Sequence, residues 1–510
     1  MTRTSRRTGR GAFGTAARPE GFGGRVMAPL LIGSALNPVN STMIATALVA
    51  IGHDFGVGAA GTAWLVASLY LASAVGQPAM GRLADLLGPR RVFTAGLLVV
   101  CAAGLLGALA PGFGWLVASR ALLGVGTSAA YPAAMAVLRA ESRRTGLDTP
   151  RRVLGLLSLA SLASAAAGPV VGGLLTATLG WRAVFAVNVP LALAGLLPAL
   201  AWLPRDDAPA DSGGADGAPP GGPATADHDG TGGTGAADRT PSAGPARAGR
   251  RSSLARGLDP LGLLLFAAVL TATMVFLMDL GRPRLPLIPV VAVLGAVFVW
   301  WQLRHPRPFL DLRTAARNGA LGRTYLRHGL AYLVIYLVMY GYAQWLEEAH
   351  GYSAFHAGLF LLPMSLAAAG GALLGARTKG LRVPLAVATA GLAAGCAVLL
   401  CIGAGAPPAV LLAAGVLFGV PQGLTSTGNQ AAVYAQAPPE GVGAAAGLQR
   451  TAQYLGAITA AGLIGLCYGQ RATDSGLHSA AVVAGGLALL LLPLAVFDPA
   501  LRARPGRGRA

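Results

Sequence analysis

The chain has 510 residues, 54% of them hydrophobic and only 12% charged, with a mean hydropathy of +0.59. So little polar surface cannot cover a water-soluble globule, which excludes a soluble enzyme or soluble binding domain and makes lipid the expected surroundings. A formal net charge of +19 is compatible with a phosphate-binding surface or with a charge bias between the two sides of a membrane, and the positions of the basic residues decide between them.

A basic tail, residues 1–26, opens the chain. Apolar runs near the ~20 residues that a helix needs to cross a ~30 Å hydrocarbon layer then recur almost to the end. Fourteen are predicted, at about 27–51, 62–80, 92–110, 115–138, 152–176, 182–203, 258–280, 285–303, 325–345, 354–376, 382–404, 408–431, 441–467 and 478–497. The first run is too long for the apolar part of a cleavable signal and lacks a small-residue cleavage site, so no signal peptide is expected. Residues 204–257 are rich in Gly, Ala, Pro and Asp and nearly empty of large apolar side chains. They cannot bury enough surface to offset ordering entropy and read as a disordered cytoplasmic linker. Asp227, His228 and Asp229 inside it read as solvated side chains rather than metal ligands.

The linker divides a six-helix bundle, 27–203, from two additional helices, 258–303, a cytoplasmic segment, 304–324, a second six-helix bundle, 325–497, and a basic tail, 498–510. Two bundles of equal size point to an internal duplication. The expected fold class is an all-α polytopic membrane protein with 14 transmembrane helices.

With the N-terminus cytoplasmic, 33 of the 39 basic residues fall on the two tails and the even-numbered connections. That is the positive-inside bias, so the basicity is topology, both termini are placed in the cytoplasm, and no nucleic-acid partner is expected. Lys379 is the single lysine among the basic residues, and abundant Ala, Gly, Pro and Arg point to a bacterium of high GC content and to its cell membrane. Cys101, Cys396, Cys401 and Cys467 lie in apolar runs without metal-ligand spacing, so no metal and no cofactor is expected. A monomer is the expected state.

Between the second and third runs stands "MGRLADLLGPRRVF", residues 80–93. Arg82, Arg90 and Arg91 suit the anionic cytoplasmic leaflet. Asp85 is a partner for neighbouring arginines or for a helix N-terminus, and Gly81 and Gly88 permit a tight turn and close helix approach. A charge pairing of this kind can exist in one conformation and break in another. The run Gly81 to Arg91 resembles the G-x-L-a-D-r-x-G-r-k signature of the major facilitator superfamily, and "GARTKGLRVP", 375–384, is similar to a worn second copy that lacks the acid. That resemblance implies the major facilitator fold, with two six-helix bundles plus two extra helices, and a gating part for Gly81, Arg82, Asp85, Gly88, Arg90 and Arg91.

"SAAAGPVVGG", 164–173, resembles the antiporter signature of the same superfamily, with Gly168, Pro169, Gly172 and Gly173 matching. Physically, Pro169 removes a helix hydrogen bond and the glycines admit another backbone; the plain alternative is a small-residue packing face. "SRALLGVGTSAAYP", 119–132, is similar to the fourth-helix signature with a buried arginine. The resemblance assigns Arg120 to proton coupling, and the alternative is an arginine that snorkels to the interface. Fourteen spans resemble the fourteen-helix drug:proton antiporter branch, which comprises multidrug and natural-product exporters.

One departure stands out. That branch opens with an acid in its first helix, whereas "LNPVNSTMIATALV", 36–49, has Asn37 there. No acidic residue lies mid-span, so the candidates for carrying a proton are at the rims: Asp279, Glu347 and its neighbour Glu348, each of which also fits a solvated helix end. The resemblance puts a substrate cavity on spans one, four, nine and twelve. Candidates are Asn37, Asn40 and Ser41; Tyr332, Tyr336 and Tyr340, spaced i, i+4, i+8; Gln422 and Asn429; and Gln453 in the next span. Unpaired amides are costly in lipid and should turn inward, for a ligand or for interhelical hydrogen bonding.

The expected function is a secondary transporter exporting hydrophobic drugs or natural products by alternating access, with an amphipathic small molecule, protons and the bilayer as partners. Nothing resembles a catalytic constellation, so an enzyme is not expected. A proton-independent facilitator or importer, and a non-transporting receptor or scaffold, are the alternatives.

Overall fold

A computed structural model describes residues 24–145, 151–206, 259–279, 281, 284–306, 308–310, 312–378, 380–437 and 442–502. The N-terminal tail to residue 23, the linker beyond Asp206 and the tail beyond Arg502 lie outside the described residues.

Helix is the only extended secondary structure among the described residues. In the first half, α1 (Gly24–Met43) runs through a 3-10 turn at Ile44–Thr46 into α2 (Leu48–Phe55), and α3 (Ala59–Leu87) is followed by α4 (Pro89–Ala108). Then come α5 (Phe113–Ser128) continuing into α6 (Ala130–Thr145), α7 (Arg151–Leu179), and α8 (Arg182–Ala186) continuing into α9 (Asn188–Trp202). An extra pair, α10 (Pro260–Met278) and α11 (Leu287–Arg304), leads through the short α12 (Leu312–Arg317) to the second half. That half holds α13 (Gly319–Glu348), α14 (Ala354–Arg377), α15 (Arg382–Leu399), α16 (Pro408–Gln436), α17 (Val442–Tyr468) and α18 (Asp474–Val496).

Twelve of the described helices are long and apolar enough to span a membrane, and the α1–α2 pair, bent by 57°, makes a thirteenth if read as one span. The bend has a local cause: the Thr46 hydroxyl turns back to the Met43 carbonyl, at 3.3 Å, and also reaches the Pro169 carbonyl of α7, at 3.3 Å, so a side chain interrupts the helix ladder. Helix α17 occupies the place of the thirteenth predicted run. Gln449, Arg450 and Gln453 lower its apolarity.

Burial orders these helices around a centre. In α13 89% of the most apolar stretch is buried, against 11% in α11 at the periphery. A 30-residue helix is ~45 Å long, so α13 runs through the middle of the molecule from end to end. Helices α3 and α17 pack against each other across the halves, as do α7 and α14, and the extra pair leans through α10 on α3 and α17.

The stretch 80–93 is less of a loop than its composition predicts. Gly81 to Leu87 are the last turns of α3, Pro89 to Arg91 the first turn of α4, and Gly88 alone makes the corner. Gly88 sits at φ 97°, a region that disfavours any Cβ, and Pro89 follows at the first helical position, where its missing N–H costs nothing. Gly81 has no comparable steric reason, since an added Cβ would meet only Pro132, at 3.7 Å.

Candidate substrate path between the two halves

Polar groups of α1 turn inward. The Asn37 amide donates to the hydroxyls of Ser73, at 3.3 Å, and Thr127, at 3.0 Å. Asn40 is buried, donating to the Leu36 carbonyl, at 2.9 Å, and to Asn188 Oδ1 of α9, at 2.6 Å. Apart from the Asn40–Leu36 bond within α1, these bonds join α1 to neighbours that sequence spacing alone does not pair with it.

Arg120 is 2% exposed and does not reach the interface. Its Nε donates to the Leu65 carbonyl and its Nη1 to the Asn40 carbonyl, both at 3.1 Å, while Nη2 is buried with no hydrogen-bond partner. The guanidinium is therefore held by two carbonyl oxygens of α3 and α1, which charge-assisted hydrogen bonding makes a strong but incomplete compensation.

Beside it the tyrosine stripe of α13 forms a ladder. Ring centroids of Tyr332 and Tyr336 are 5.6 Å apart and those of Tyr336 and Tyr340 5.9 Å apart, with the His328 ring tilted against Tyr332 at 4.6 Å. The Tyr340 hydroxyl donates to the Ser41 carbonyl of the first half and lies 3.0 Å from the Tyr70 hydroxyl. A hydroxyl has one hydrogen, so Tyr70 is the donor of that second bond. Gln453 donates to the Tyr336 hydroxyl at 2.9 Å, and Gln77 of α3 donates to the Tyr454 hydroxyl of α17 at 2.6 Å. Tyr70 packs on Tyr336 and Tyr454, with centroids at 5.2 and 5.6 Å. Further along α17, the Arg450 guanidinium lies 5.0 Å from the Tyr131 ring of α6.

Contacts across the seam between the halves run through Ser41 with Tyr340, Tyr70 with Tyr336 and Tyr340, Gln77 with Tyr454 and Tyr131 with Arg450; Tyr332 and Gln453 adjoin them through Tyr336, whereas the amides of Asn37 and Asn40 bond within the first half. Gln422 borders the same seam in a small cavity of about 40 Å³, together with Thr42, Pro169, Met339 and Met364. Asn429 lies elsewhere. Fully buried, it accepts from Arg327 Nε at 2.8 Å, and Arg327 pairs with Asp498 at 3.4 Å. Tyr70, Gln77, Tyr131 and Tyr454 escaped sequence reasoning, because their partners lie on distant helices: Tyr70 meets Tyr336 and Tyr340 of α13, Gln77 meets Tyr454 of α17, and Tyr131 meets Arg450 of α17.

The string 168–173 joins three helices. A Cβ at Gly168 would strike the Thr42 side chain, one at Gly172 the Met43 carbonyl, and one at Gly173 the Ala354 carbonyl of α14, while Gly358 of α14 meets the Pro169 carbonyl in return. Gly168 and Gly172 therefore seat α7 on α1 within the first half, and Gly173 seats it on the second. The contact lies at the end of the molecule carrying the 56–58, 349–353 and 469–473 connections, where Gly58 also abuts Gln470.

At the opposite end, the backbone N–H groups of Arg90 and Arg91 both donate to the carboxylate of Asp206, at 3.0 Å each, so an acid from the end of α9 caps α4. Arg82 donates to the Pro308 carbonyl next to the Phe309 ring. The side chain of Asp85 lies outside the described residues. Asp279 forms an exposed pair with Arg284, at 3.0 Å. Glu347 has a carboxylate oxygen buried without a hydrogen-bond partner, as does the Nε2 of nearby His350, and Glu348 accepts from the Ala472 N–H. Among the described residues no three His, Cys, Asp or Glu side chains are grouped to hold a metal ion.

The family model of the Major Facilitator Superfamily matches residues 30–461 and, overlapping, 328–506. The MFS-type transporter YwoD of Bacillus subtilis, itself uncharacterised, is 30% identical over 478 residues, covering 90% of this chain and 94% of that protein. The tetracenomycin C resistance and export protein of Streptomyces glaucescens is 36% identical over 198 residues, 37% of this chain and 36% of its own length. In fold, the chain is similar to the peptide transporter POT bound to alafosfalin (TM-score 0.63, 15% identity, 94% of this chain and 95% of that one) and to the xylose transporter XylE of E. coli (TM-score 0.57, 12% identity, 91% and 95%). Two helical halves meeting along a polar seam, and a match that spans both of them, make this chain a membrane transport protein of the Major Facilitator Superfamily, not an enzyme.

Proposed function

We propose that the chain is a secondary exporter of amphipathic organic molecules that works by alternating access, with fourteen spans and both termini in the cytoplasm. The observation that carries this reading is the seam itself. Aromatic rings, amides and two arginines face one another between halves, and such a lining suits a bulky organic molecule with an apolar body and few polar groups. The relatives support export as the direction, since those with a stated activity include the tetracenomycin C exporter and a cephamycin export protein of Amycolatopsis lactamdurans.

The halves can separate at one end only by parting Gly173 from Ala354 and Gly358 from Pro169. Toward the other end they must loosen contacts such as Gln77 with Tyr454 and Tyr131 with Arg450. Two such contact sets, made in alternation, are what rocking of two bundles about a central site requires. Protons are the proposed coupling ion, and Glu347 the proposed carrier. Its unpartnered carboxylate oxygen is the kind of group that binds and releases a proton as its surroundings open and close. Asp279, already in an exposed ion pair, is the weaker candidate.

A proton-independent facilitator is the second reading, favoured by Asn37, whose amide fills with hydrogen bonds to Ser73 and Thr127 the place where an acid would stand. Purified protein in liposomes separates the two. A pH gradient should drive uptake of a dye such as rhodamine 6G against its gradient, and Glu347→Gln should abolish that drive while retaining exchange of dye across the membrane. Transport indifferent to the gradient would establish the facilitator reading, and no movement of any of a panel of dyes and antibiotics would remove export.

A further inference from the structure

Arg120, Arg327 and Arg450 lie within the helical body, and each is compensated differently. Arg327 is paired with Asp498. Arg120 is held by carbonyl oxygens. Arg450, half-buried in α17, has no carboxylate within ion-pair distance among the described residues. Its surroundings are tyrosines: the Tyr131 ring at 5.0 Å, with the hydroxyls of Tyr454 and Tyr332 close by. Gln449 and Gln453 stand on the same helix within one turn of it. Helices α6, α13 and α17 all contribute, so the group sits on the seam between the halves and not on a lipid-facing flank.

A cation at this depth in a bilayer costs ~2.5 kcal/mol or more on insertion scales, and cation–π contact with an exposed or half-buried ring returns only ~0.5–2 kcal/mol. The tyrosine cluster therefore leaves the charge under-compensated. A guanidinium with donors in a planar fork is suited to a carboxylate or a phenolate, and the rings beside it are suited to an aromatic skeleton.

We propose that Arg450 binds the anionic group of the transported molecule while Tyr131, Tyr332 and the ladder above it hold its aromatic body, so that the favoured substrates are amphipathic aromatic anions. This rests on the export reading and specifies its substrate class. The ladder offers rings along α13 from Tyr332 to Tyr340, with Gln453 and Gln77 as adaptable hydrogen-bonding groups between them. A planar polycyclic molecule with an acid at one end fits that order: acid at Arg450, rings toward Tyr340 and Ser41.

The test uses two xanthene dyes that share a tricyclic aromatic core and differ in charge, carboxyfluorescein and rhodamine 6G, with the full-length chain in liposomes. Wild-type protein should transport carboxyfluorescein. Arg450→Gln should lower its rate at least about tenfold, equivalent to ~1.4 kcal/mol, while leaving rhodamine 6G transport unchanged or faster. Arg450→Lys should restore part of the loss. Tyr131→Leu keeps the charge and removes the ring, and should raise the half-saturating carboxyfluorescein concentration several-fold in a chain whose elution and melting match wild type, which covers the case of an Arg450 variant that fails to fold. Equal losses for both dyes in Arg450→Gln, with Tyr131→Leu unaltered, would overturn the proposal. Wild-type protein that moves rhodamine 6G and ignores carboxyfluorescein overturns it as well, and leaves export standing.

Discussion

Replacing Gly173 with Val tests whether the 168–173 string holds the halves together at one end. An added Cβ at Gly173 would press on the backbone of Ala354, with the Phe355 Cα at 2.9 Å and the Ala354 carbonyl carbon also at 2.9 Å. The obstacle is backbone on both sides, so no side-chain rotation can relieve it and the helices must move apart. Overpacking of this kind costs ~1–3 kcal/mol. In the alternating-access cycle proposed above, that cost falls only on the conformation in which this end is closed, because in the other the two backbones are separated. A difference of ~1–3 kcal/mol between two states shifts their ratio by about 5–150-fold, so a molecule resting mainly closed at this end should open to a measurable fraction. Gly172→Ala is the control: its Cβ would strike the Met43 carbonyl of α1, a contact within one half that is present in both states, so it should lower thermal stability without changing the ratio. Spin labels at exposed positions of that end, Leu109→Cys in the first half and Ser475→Cys in the second, with Cys101, Cys396, Cys401 and Cys467 replaced, report the separation by double electron–electron resonance. A longer-distance population in Gly173→Val that Gly172→Ala lacks is the expected result. Identical distance distributions in a folded Gly173→Val protein would refute the reasoning.

Asp206→Ala should remove both acceptor oxygens from the first turn of α4 and lower stability by ~1–2 kcal/mol, read as a fall in melting temperature in detergent, whereas Asp206→Asn, which still accepts one bond, should lose less. Arg327→Met leaves the Asp498 carboxylate, whose side chain is 0% exposed, with the outer Arg323 as its remaining charged partner beside the Ala500 N–H; breaking a buried pair costs ~3–5 kcal/mol, so monodisperse yield should fall, and Arg327→Met combined with Asp498→Leu should recover part of it. Tyr340→Phe deletes the donor to the Ser41 carbonyl and the acceptor for Tyr70; with each net hydrogen bond near ~1 kcal/mol, transport of a dye should change in rate more than the protein changes in melting temperature, and the reverse order would mark the Tyr70–Tyr340 pair as purely structural.

Hydropathy alone located the helices long and apolar enough to span a membrane, twelve and the bent first pair among the described residues, because a run of ~20 apolar residues has few other uses; α17, at the thirteenth predicted run, is not among them. The described helices overrun the predicted segments at their ends; α3, for example, reaches Leu87 where the apolar run stops near residue 80, since a helix can continue past the hydrocarbon as charged residues enter the headgroup layer. The inward turn of Asn37, Asn40 and the tyrosine stripe was legible from cost: amides and hydroxyls avoid lipid. Where each would find its partner was not, because pairs such as Gln77 with Tyr454 or Asp206 with the start of α4 join residues more than a hundred positions apart, and no local period encodes that. Asn429 shows the limit in the other direction. Its polarity marked it as inward, as it is, but an amide that turns inward can serve a buried ion pair as readily as a substrate, and only the neighbour, Arg327, tells which.

The same distinction orders the three arginines. Arg120 and Arg327 are buried and Arg450 half-buried, so each pays to leave water, and what orders them is how far that cost has been met before any ligand arrives. For Arg327 the carboxylate of Asp498 neutralises the charge and the amide of Asn429 and the hydroxyl of Thr324 take further donors, leaving little for another partner to gain. Arg120 has two carbonyl dipoles and one idle nitrogen, a geometry that fixes the position of α5 against α1 and α3. Arg450 has ring faces and hydroxyls, the weakest compensation of the three, and it is the one left half-exposed along the seam. A protein that merely needed to span the membrane would gain by replacing it with an apolar residue. Its place at the junction of α6, α13 and α17 fits a counter-charge that arrives with the molecule being carried and leaves when that molecule does.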